Sequence, residues 1–242
     1  MKKDLVTFDL DQTLYDFDFT FEQAMETSFL KQTGQELIPF SQWFHCFQEE
    51  NRKLWPAFES GKLDIHIFRQ KRYFNTMAYF KRETTIEEAE QFHQDYLINF
   101  YEKMRPFEGV FSLLDFLVKK ECRLGLISNG PADTQYEKIK RLELESYFNR
   151  ENMFISEELG IAKPNPNIFY ECEKKLAPFN GSKIHVGDAW SHDVIGARNA
   201  GWQAIYFNHN DKGRPITELN KAVMDIHHLN ELEQWFKAKW KG

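Results

Sequence analysis

Short apolar runs that do not alternate with polar residues constrain this chain most. They are LVTFDL at 5–10, RLGLIS at 123–128, NMFIS at 152–156, KIHVG at 183–187 and QAIYF at 203–207, with a weaker AVMDI at 222–226. An apolar strand of this kind suits a sheet covered on both faces, whereas a half-solvated sheet needs alternation. Helical patterns separate the runs. They cover 110–120, 133–142, 167–176, 191–200 (closed by Gly201) and 230–240. Strands alternating with helices predict an α/β fold with a parallel, doubly wound sheet.

Residues 17–103 break that rhythm. Phe21, Ala24, Met25, Ser28 and Phe29 recur at helical spacing, as do Phe92, Tyr96, Leu97 and Phe100, and no convincing strand interrupts them. The chain is therefore expected to build a core from 1–16 and 104–242, with an inserted helical cap over 17–103. Of the 242 residues, 42% are hydrophobic, ample for a core, and the 23 phenylalanines read first as packing.

A formal charge of −6 argues against partners that need a basic face, so neither a nucleic-acid polymer nor a membrane surface is expected. Cys46, Cys122 and Cys172 are scattered and odd in number, which points to reduced thiols and a cytoplasmic setting. The first residues, MKKDLVTFDLD, lack the apolar stretch of a signal peptide, and no run reaches the roughly 20 residues of a membrane helix.

Four segments carry chemistry. FDLDQT sets Asp9 and Asp11 one residue apart where a buried strand runs out. Strand alternation sends both carboxylates to one side, where they repel. A turn would explain Asp11, but an acid inside an apolar run is costly unless something pairs with it, and a cation would serve both. LISNG ends another strand with Ser128, Asn129 and Gly130, whose hydroxyl, amide and backbone N–H groups suit phosphate oxygens. The segment GLISNGP begins like a phosphate-binding loop, but Pro131 stands where that loop needs lysine, which excludes a nucleotide site of that type. In GIAKPNPNIF, two prolines stiffen the loop that presents Lys163. In VGDAWSHDVIG, Asp188 repeats the strand-end carboxylate, Ser191 is a candidate helix cap, and Asp193 follows in the first turn.

Taken in order, Asp-x-Asp-x-Thr, Ser-Asn-Gly, Lys-Pro and Gly-Asp-x-x-x-x-Asp resemble the haloacid dehalogenase-like superfamily over about residues 4–208. ISEELGIAKPNPNIF and NRKLWPAFESGKLD are similar to its pyrimidine-type 5′-nucleotidase branch. The resemblance implies a Rossmann-like core with a helical cap inserted after the first motif. It implies Asp9 as nucleophile toward phosphorus and Asp11 as general acid, then base. Mg²⁺ would be held by Asp9, the backbone carbonyl of Asp11 and Asp188, with Asp193 supporting that shell or positioning Lys163. Ser128, Asn129 and Lys163 would hold the phosphoryl group, and Thr13 the turn. Four carboxylates against Lys163 leave a formal −3, which a divalent cation brings to −1, so Mg²⁺ dependence is expected. Dehalogenases of this superfamily lack the second acid, because a halide leaves without a proton. Asp11 therefore points to phosphate monoesters.

The leading expectation is a small-molecule phosphatase, with a nucleoside monophosphate as substrate. A phosphosugar or phosphoglycolate phosphatase stays open. A non-catalytic binding protein on the same fold would be expected to lose a motif acid, and none is missing. Lys53, Trp55, Arg69 and Arg72 of the insert are candidates for the leaving group, though packing or solvation would explain each one alone. His185 reads as a core residue, and the other histidines show no ligand spacing. Monomer and homodimer are both open.

Overall fold

The computed structural model describes residues 3–33, 38–213 and 223–240. The chain divides into two compact units, Met1–Asp16 with Arg105–Gly242, and Phe17–Met104.

The first unit is built on six parallel strands. They are β1 (Leu5–Phe8), β2 (Arg123–Ser128), β3 (Met153–Ile155), β4 (Lys183–Gly187), β5 (Gln203–Phe207) and β6 (Met224–Ile226), in the order β3-β2-β1-β4-β5-β6. β1 lies at the centre and every residue in it is buried. It pairs with β2 on one side and β4 on the other, so Phe8 lies level with both Leu126 and Val186. That double burial is why LVTF is continuously apolar. The chain adds β2 and β3 on one side of β1, then returns to add β4, β5 and β6 on the other. The reversal opens a crevice beyond the carboxyl ends of β1 and β4, where open α/β sheets bind ligands. Position 222, expected in the last strand, lies outside the described residues.

Helices of this unit begin and end where local chemistry dictates. The helix Val110–Lys119 follows Gly109, whose φ of 87° suits glycine, and buries Val110, Leu113, Leu114 and Leu117 at helical spacing. Ala132–Arg141 follows β2. A single turn, Ser156–Leu159, follows β3. Pro166–Leu176 begins with the Asn165 side chain accepting from Asn167 N at 3.0 Å and with proline at its first position. After β4 a π-helical turn, Trp190–Val194, leads into Ile195–Asn199. Ser191 therefore does not cap a helix. It lies inside the turn, and the Asp193 side chain accepts from Ala189 N at 2.9 Å instead. Leu229–Lys239 closes the described chain. Trp202 and Trp190 pack edge-on to Phe169 and Tyr206.

The second unit comprises the helices Phe17–Thr33, Phe40–Glu59, Ile65–Tyr79 and Ile86–Lys103, and its described residues form no strand. Met104, expected in the core, groups with this unit and is buried. Asp64 caps the third helix, and a Thr85–Glu88 capping box starts the fourth. Phe21, Phe29, Trp43, Phe47, Phe92 and Phe100 are buried, with ring pairs such as Phe29–Trp43 at 4.9 Å and Trp43–Phe92 at 5.3 Å. These rings make up much of this unit's core. Within the first unit, the points where the chain leaves and returns are joined by a bridge between Tyr15 and Pro106. Among the described residues no helix is long and apolar enough to cross a membrane, and all three cysteines are free thiols.

Candidate active site

Three strand ends and one loop converge beyond the sheet. β1 stops at Phe8, so Asp9 is the first residue past the strand, tied to its neighbour by Asp9 N donating to Val186 O at 2.9 Å. The chain then turns through Gln12 at φ 60°, and Leu14 N donates to Leu10 O at 3.0 Å. Thr13 is fully buried in this turn, its hydroxyl without a hydrogen-bond partner among the described residues.

Lys163 enters from the loop before Pro166–Leu176 and is buried. Its Nζ donates to Asp9 Oδ1 and to Asp193 Oδ1, each at 2.6 Å. Asn129 sets its place. The Asn129 amide donates to Lys163 O and accepts from Lys163 N, both at 2.9 Å. The Asn129 side chain, expected on substrate oxygens, is thus engaged in holding the lysine's backbone. Neighbouring Ser128 Oγ accepts from Gln135 Nε2 at 2.8 Å, and its O–H still has a proton to give.

Asp193 has other donors besides Lys163. Ala189 N reaches Oδ2 at 2.9 Å, and His185 Nε2 lies 3.2 Å from Oδ1. The carboxylate must accept, which assigns the His185 proton to Nε2, so Nδ1 accepts from Thr7 Oγ1 at 2.8 Å. His185 is the core residue the sequence indicated, yet it also braces a site carboxylate. Burial holds its pKa below the ordinary value. Gly187 makes the arrangement possible, because a Cβ there would lie 2.3 Å from Asp193 Cγ.

One lysine thus serves two carboxylates, and Asp193 has two further donors. Although burial opposes its charge, Asp193 is held well below the usual carboxylate range by Lys163 and His185. Asp9 accepts one side-chain hydrogen bond, and burial, with the charges of Asp193 and Asp188 nearby, pushes it well above that range. Burial disfavours the Lys163 ammonium too, but Asp193 and Asp9 outweigh it and raise its pKa. Asp9 is a carboxylate short of positive charge. Oxygens of Asp9, Asp188 and Asp193 lie within 4.8 Å of one another, a hard-oxygen set that fits a divalent cation such as Mg²⁺.

Asp9 and Asp11 pair with different lysines, Asp9 sharing Lys163 with Asp193. Lys138 Nζ donates to Asp11 Oδ1 at 2.8 Å and to Oδ2 at 2.9 Å. Gln135 and Tyr15 also donate to Asp11. A third lysine, Lys212, lies 3.6 Å from Asp188, its backbone held by the Asn208 amide as Asn129 holds Lys163. The count from sequence therefore changes. Four carboxylates face three lysines, a formal −1 before any cation and +1 with a divalent one. Repulsion of a phosphate dianion by the bare site is weaker than the sequence count suggested.

The candidates of the second unit are partly accounted for by packing. Lys53 pairs with Glu50 at 2.6 Å, Trp55 packs on Phe58 and Phe68, and Arg72 donates to Asn51 while lying over the rings of Phe47 and Phe68.

A model of haloacid dehalogenase-like hydrolases matches residues 6–207. The chain is 30% identical over 237 residues to pyrimidine 5′-nucleotidase YjjG of Escherichia coli K12, covering 97% of this chain and 98% of the relative. Over 231 residues it is 30% identical to a glyceraldehyde 3-phosphate phosphatase of Methanothermobacter thermautotrophicus, covering 95% and 96%. Among solved structures, the HAD-hydrolase YfnB of Bacillus subtilis bound to magnesium matches with a TM-score of 0.74 at 23% identity, over 97% of this chain and 99% of that one. A 2-haloacid dehalogenase of Pseudomonas syringae pv. Tomato matches at 0.68 and 29%, over 99% and 100%. With strand-end acids, hydroxyl and lysine in the matching order, this chain belongs to the haloacid dehalogenase-like hydrolases.

Proposed function

We propose that the protein is a Mg²⁺-dependent phosphatase of small phosphate monoesters that works through an aspartyl-phosphate on Asp9. The observation that carries this reading is the pair of 2.6 Å contacts from Lys163 to Asp9 and Asp193, beside an oxygen cluster that also includes Asp188. Asp9 attacks phosphorus, and the ester oxygen leaves with a proton from Asp11. Asp11 then takes a proton from the water that hydrolyses the acyl phosphate. Lys163 and the Ser128 hydroxyl hold phosphoryl oxygens as charge develops on them. Asp193 and Asn129 keep Lys163 in place, and Thr13 belongs to the turn that separates the two acids. Asp9, Asp188 and the backbone carbonyl of Asp11 would hold Mg²⁺, with Asp193 beside them. Bound there, it would neutralise the carboxylates and polarise the phosphoryl group. Asp11 favours an alkoxide over a halide leaving group and so separates this reading from that of the dehalogenase neighbour.

For the substrate we propose a nucleoside 5′-monophosphate, a reading supported by the likeness to a pyrimidine 5′-nucleotidase along nearly the whole chain. A sugar or triose phosphate is the second reading, favoured by an equally extensive relative. A cytoplasmic location accords with the free thiols. Phosphate release from a panel of pyrimidine and purine monophosphates, glyceraldehyde 3-phosphate, sugar phosphates and phosphoglycolate tests both. The expected result is the highest kcat/KM on pyrimidine monophosphates and loss of turnover on chelation, restored by Mg²⁺. Undiminished turnover after complete chelation refutes the metal assignment, and no release from any ester refutes the phosphatase.

A further inference from the structure

Asn129 and Asn208 each stand one residue past a strand, β2 and β5, and each clamps the backbone of a lysine. The Asn208 amide donates to Lys212 O at 3.0 Å and accepts from Lys212 N at 2.7 Å. Asn208 is itself buried, and its backbone N–H donates to Ile226 O of β6 at 2.7 Å. Asp211, at φ 51°, completes the turn, its N–H donating to Asn208 O at 3.0 Å. A lysine on a loop beyond a strand ordinarily ranges widely, because its long stem has many rotamers. Here the stem starts from a fixed backbone, and Nζ lies 3.6 Å from Asp188 Oδ2 with the side chain half exposed.

Charge decides what that ammonium does. Lys163 pairs with Asp9 and Asp193 at 2.6 Å each, and Lys212 faces Asp188, the third acid of the oxygen cluster. Three carboxylates against two lysines leave a formal −1, which a divalent cation turns to +1. Without Lys212 the same cluster stands at −2 and is neutral once the cation binds. At 3.6 Å the contact is an ion pair too long for a hydrogen bond, so Lys212 contributes charge more than orientation. A second cation beside the oxygens repels an incoming metal ion and attracts an incoming anion.

We infer that Lys212 sets the cation affinity of this site, weakening it so that the loaded site keeps the positive charge that draws a phosphate dianion. The inference rests on the metal assignment in the phosphatase reading.

The test is titration calorimetry on the whole chain, first with Mg²⁺ alone on metal-free protein, then with inorganic phosphate on Mg²⁺-saturated protein. In Lys212→Met the Kd for Mg²⁺ falls about 3–10-fold, the size expected for one half-exposed charge beside a divalent ion. The Kd for phosphate rises about 2–5-fold in the same variant. Lys212→Arg, which keeps the charge, stays within about twofold of wild type in both. Lys212→Gln repeats the methionine result and serves if that variant does not fold. The two shifts must run in opposite directions. Weaker binding of both ligands would make Lys212 an orienting partner of Asp188, and weaker phosphate with unchanged Mg²⁺ would make it a contact of the anion alone. Either pattern, or no change in the Kd for Mg²⁺, overturns the inference while leaving the metal site intact. A wild type that binds no Mg²⁺ refutes the metal assignment itself.

Discussion

Gly187→Ala tests the geometry of the site most directly, because it adds one methyl group and removes nothing. That Cβ would lie 2.3 Å from Asp193 Cγ and Oδ2 and 2.6 Å from its Cβ. Ordinary carbon contacts are about 3.5–4.0 Å, so the overlap exceeds roughly 1 Å. Asp193 has nowhere to retreat. It is buried and held by Lys163 at 2.6 Å, Ala189 N at 2.9 Å and His185 at 3.2 Å. Overpacking of this kind costs about 1–3 kcal/mol. For a chain of this size each kcal/mol moves Tm by about 2–4 °C, so the variant melts roughly 2–12 °C below wild type. Activity falls further, because Asp193 carries Lys163 with it, and a shift of about 1 Å in a site costs about 10²-fold. The assay is calorimetry together with kcat/KM on p-nitrophenyl phosphate. Gly213→Ala is the control, since among the described residues nothing lies within 4 Å of a Cβ there. A Gly187→Ala protein that matches this control in both Tm and kcat/KM refutes the reasoning.

Asp9→Asn is expected to abolish turnover and the covalent phosphoryl-enzyme together, read by rapid quench and mass spectrometry. Wild-type rates in a verified variant remove Asp9 as nucleophile. Asn129→Ala removes two hydrogen bonds to the Lys163 backbone and is expected to cost about 1–3 kcal/mol in denaturant unfolding, with a lower kcat. His93 gives a pH dependence. Burial, and then Arg72, Arg69 and His66, lower its pKa from 6.5 to about 2. Between those values the unfolded chain binds the proton and the folded one does not, so stability is full above pH 6.5 and falls as pH drops toward 2. The Tm of wild type should therefore fall more between pH 7 and pH 5 than that of His93→Phe. Parallel slopes would show that His93 does not carry the effect.

Much of the core was legible because its causes are local. Strands buried on both faces must be apolar throughout, and RLGLIS, KIHVG and QAIYF became β2, β4 and β5 without a change of boundary. The strand-end residues Asp9, Ser128 and Asp188 could be picked out because a polar group after such a run is conspicuous. The parallel sheet then brings those ends together, with β1 between β2 and β4.

What surrounds those residues was decided by tertiary structure. Asn129 and Lys163 are 34 positions apart, Lys138 and Asp11 127, and no spacing rule reaches that far. From sequence, one lysine stood against four acids, and the fold supplied two more, which changed the site's charge and gave Asp9 and Asp11 separate partners. His185 looked like any core residue until the π-helical turn after β4 laid Asp193 against it. The sequence determines which chemical groups the strands deliver, because burial and backbone pattern act over a few residues. Which donor faces each group depends on how helices and loops cross the sheet, and that is set only when the whole core packs.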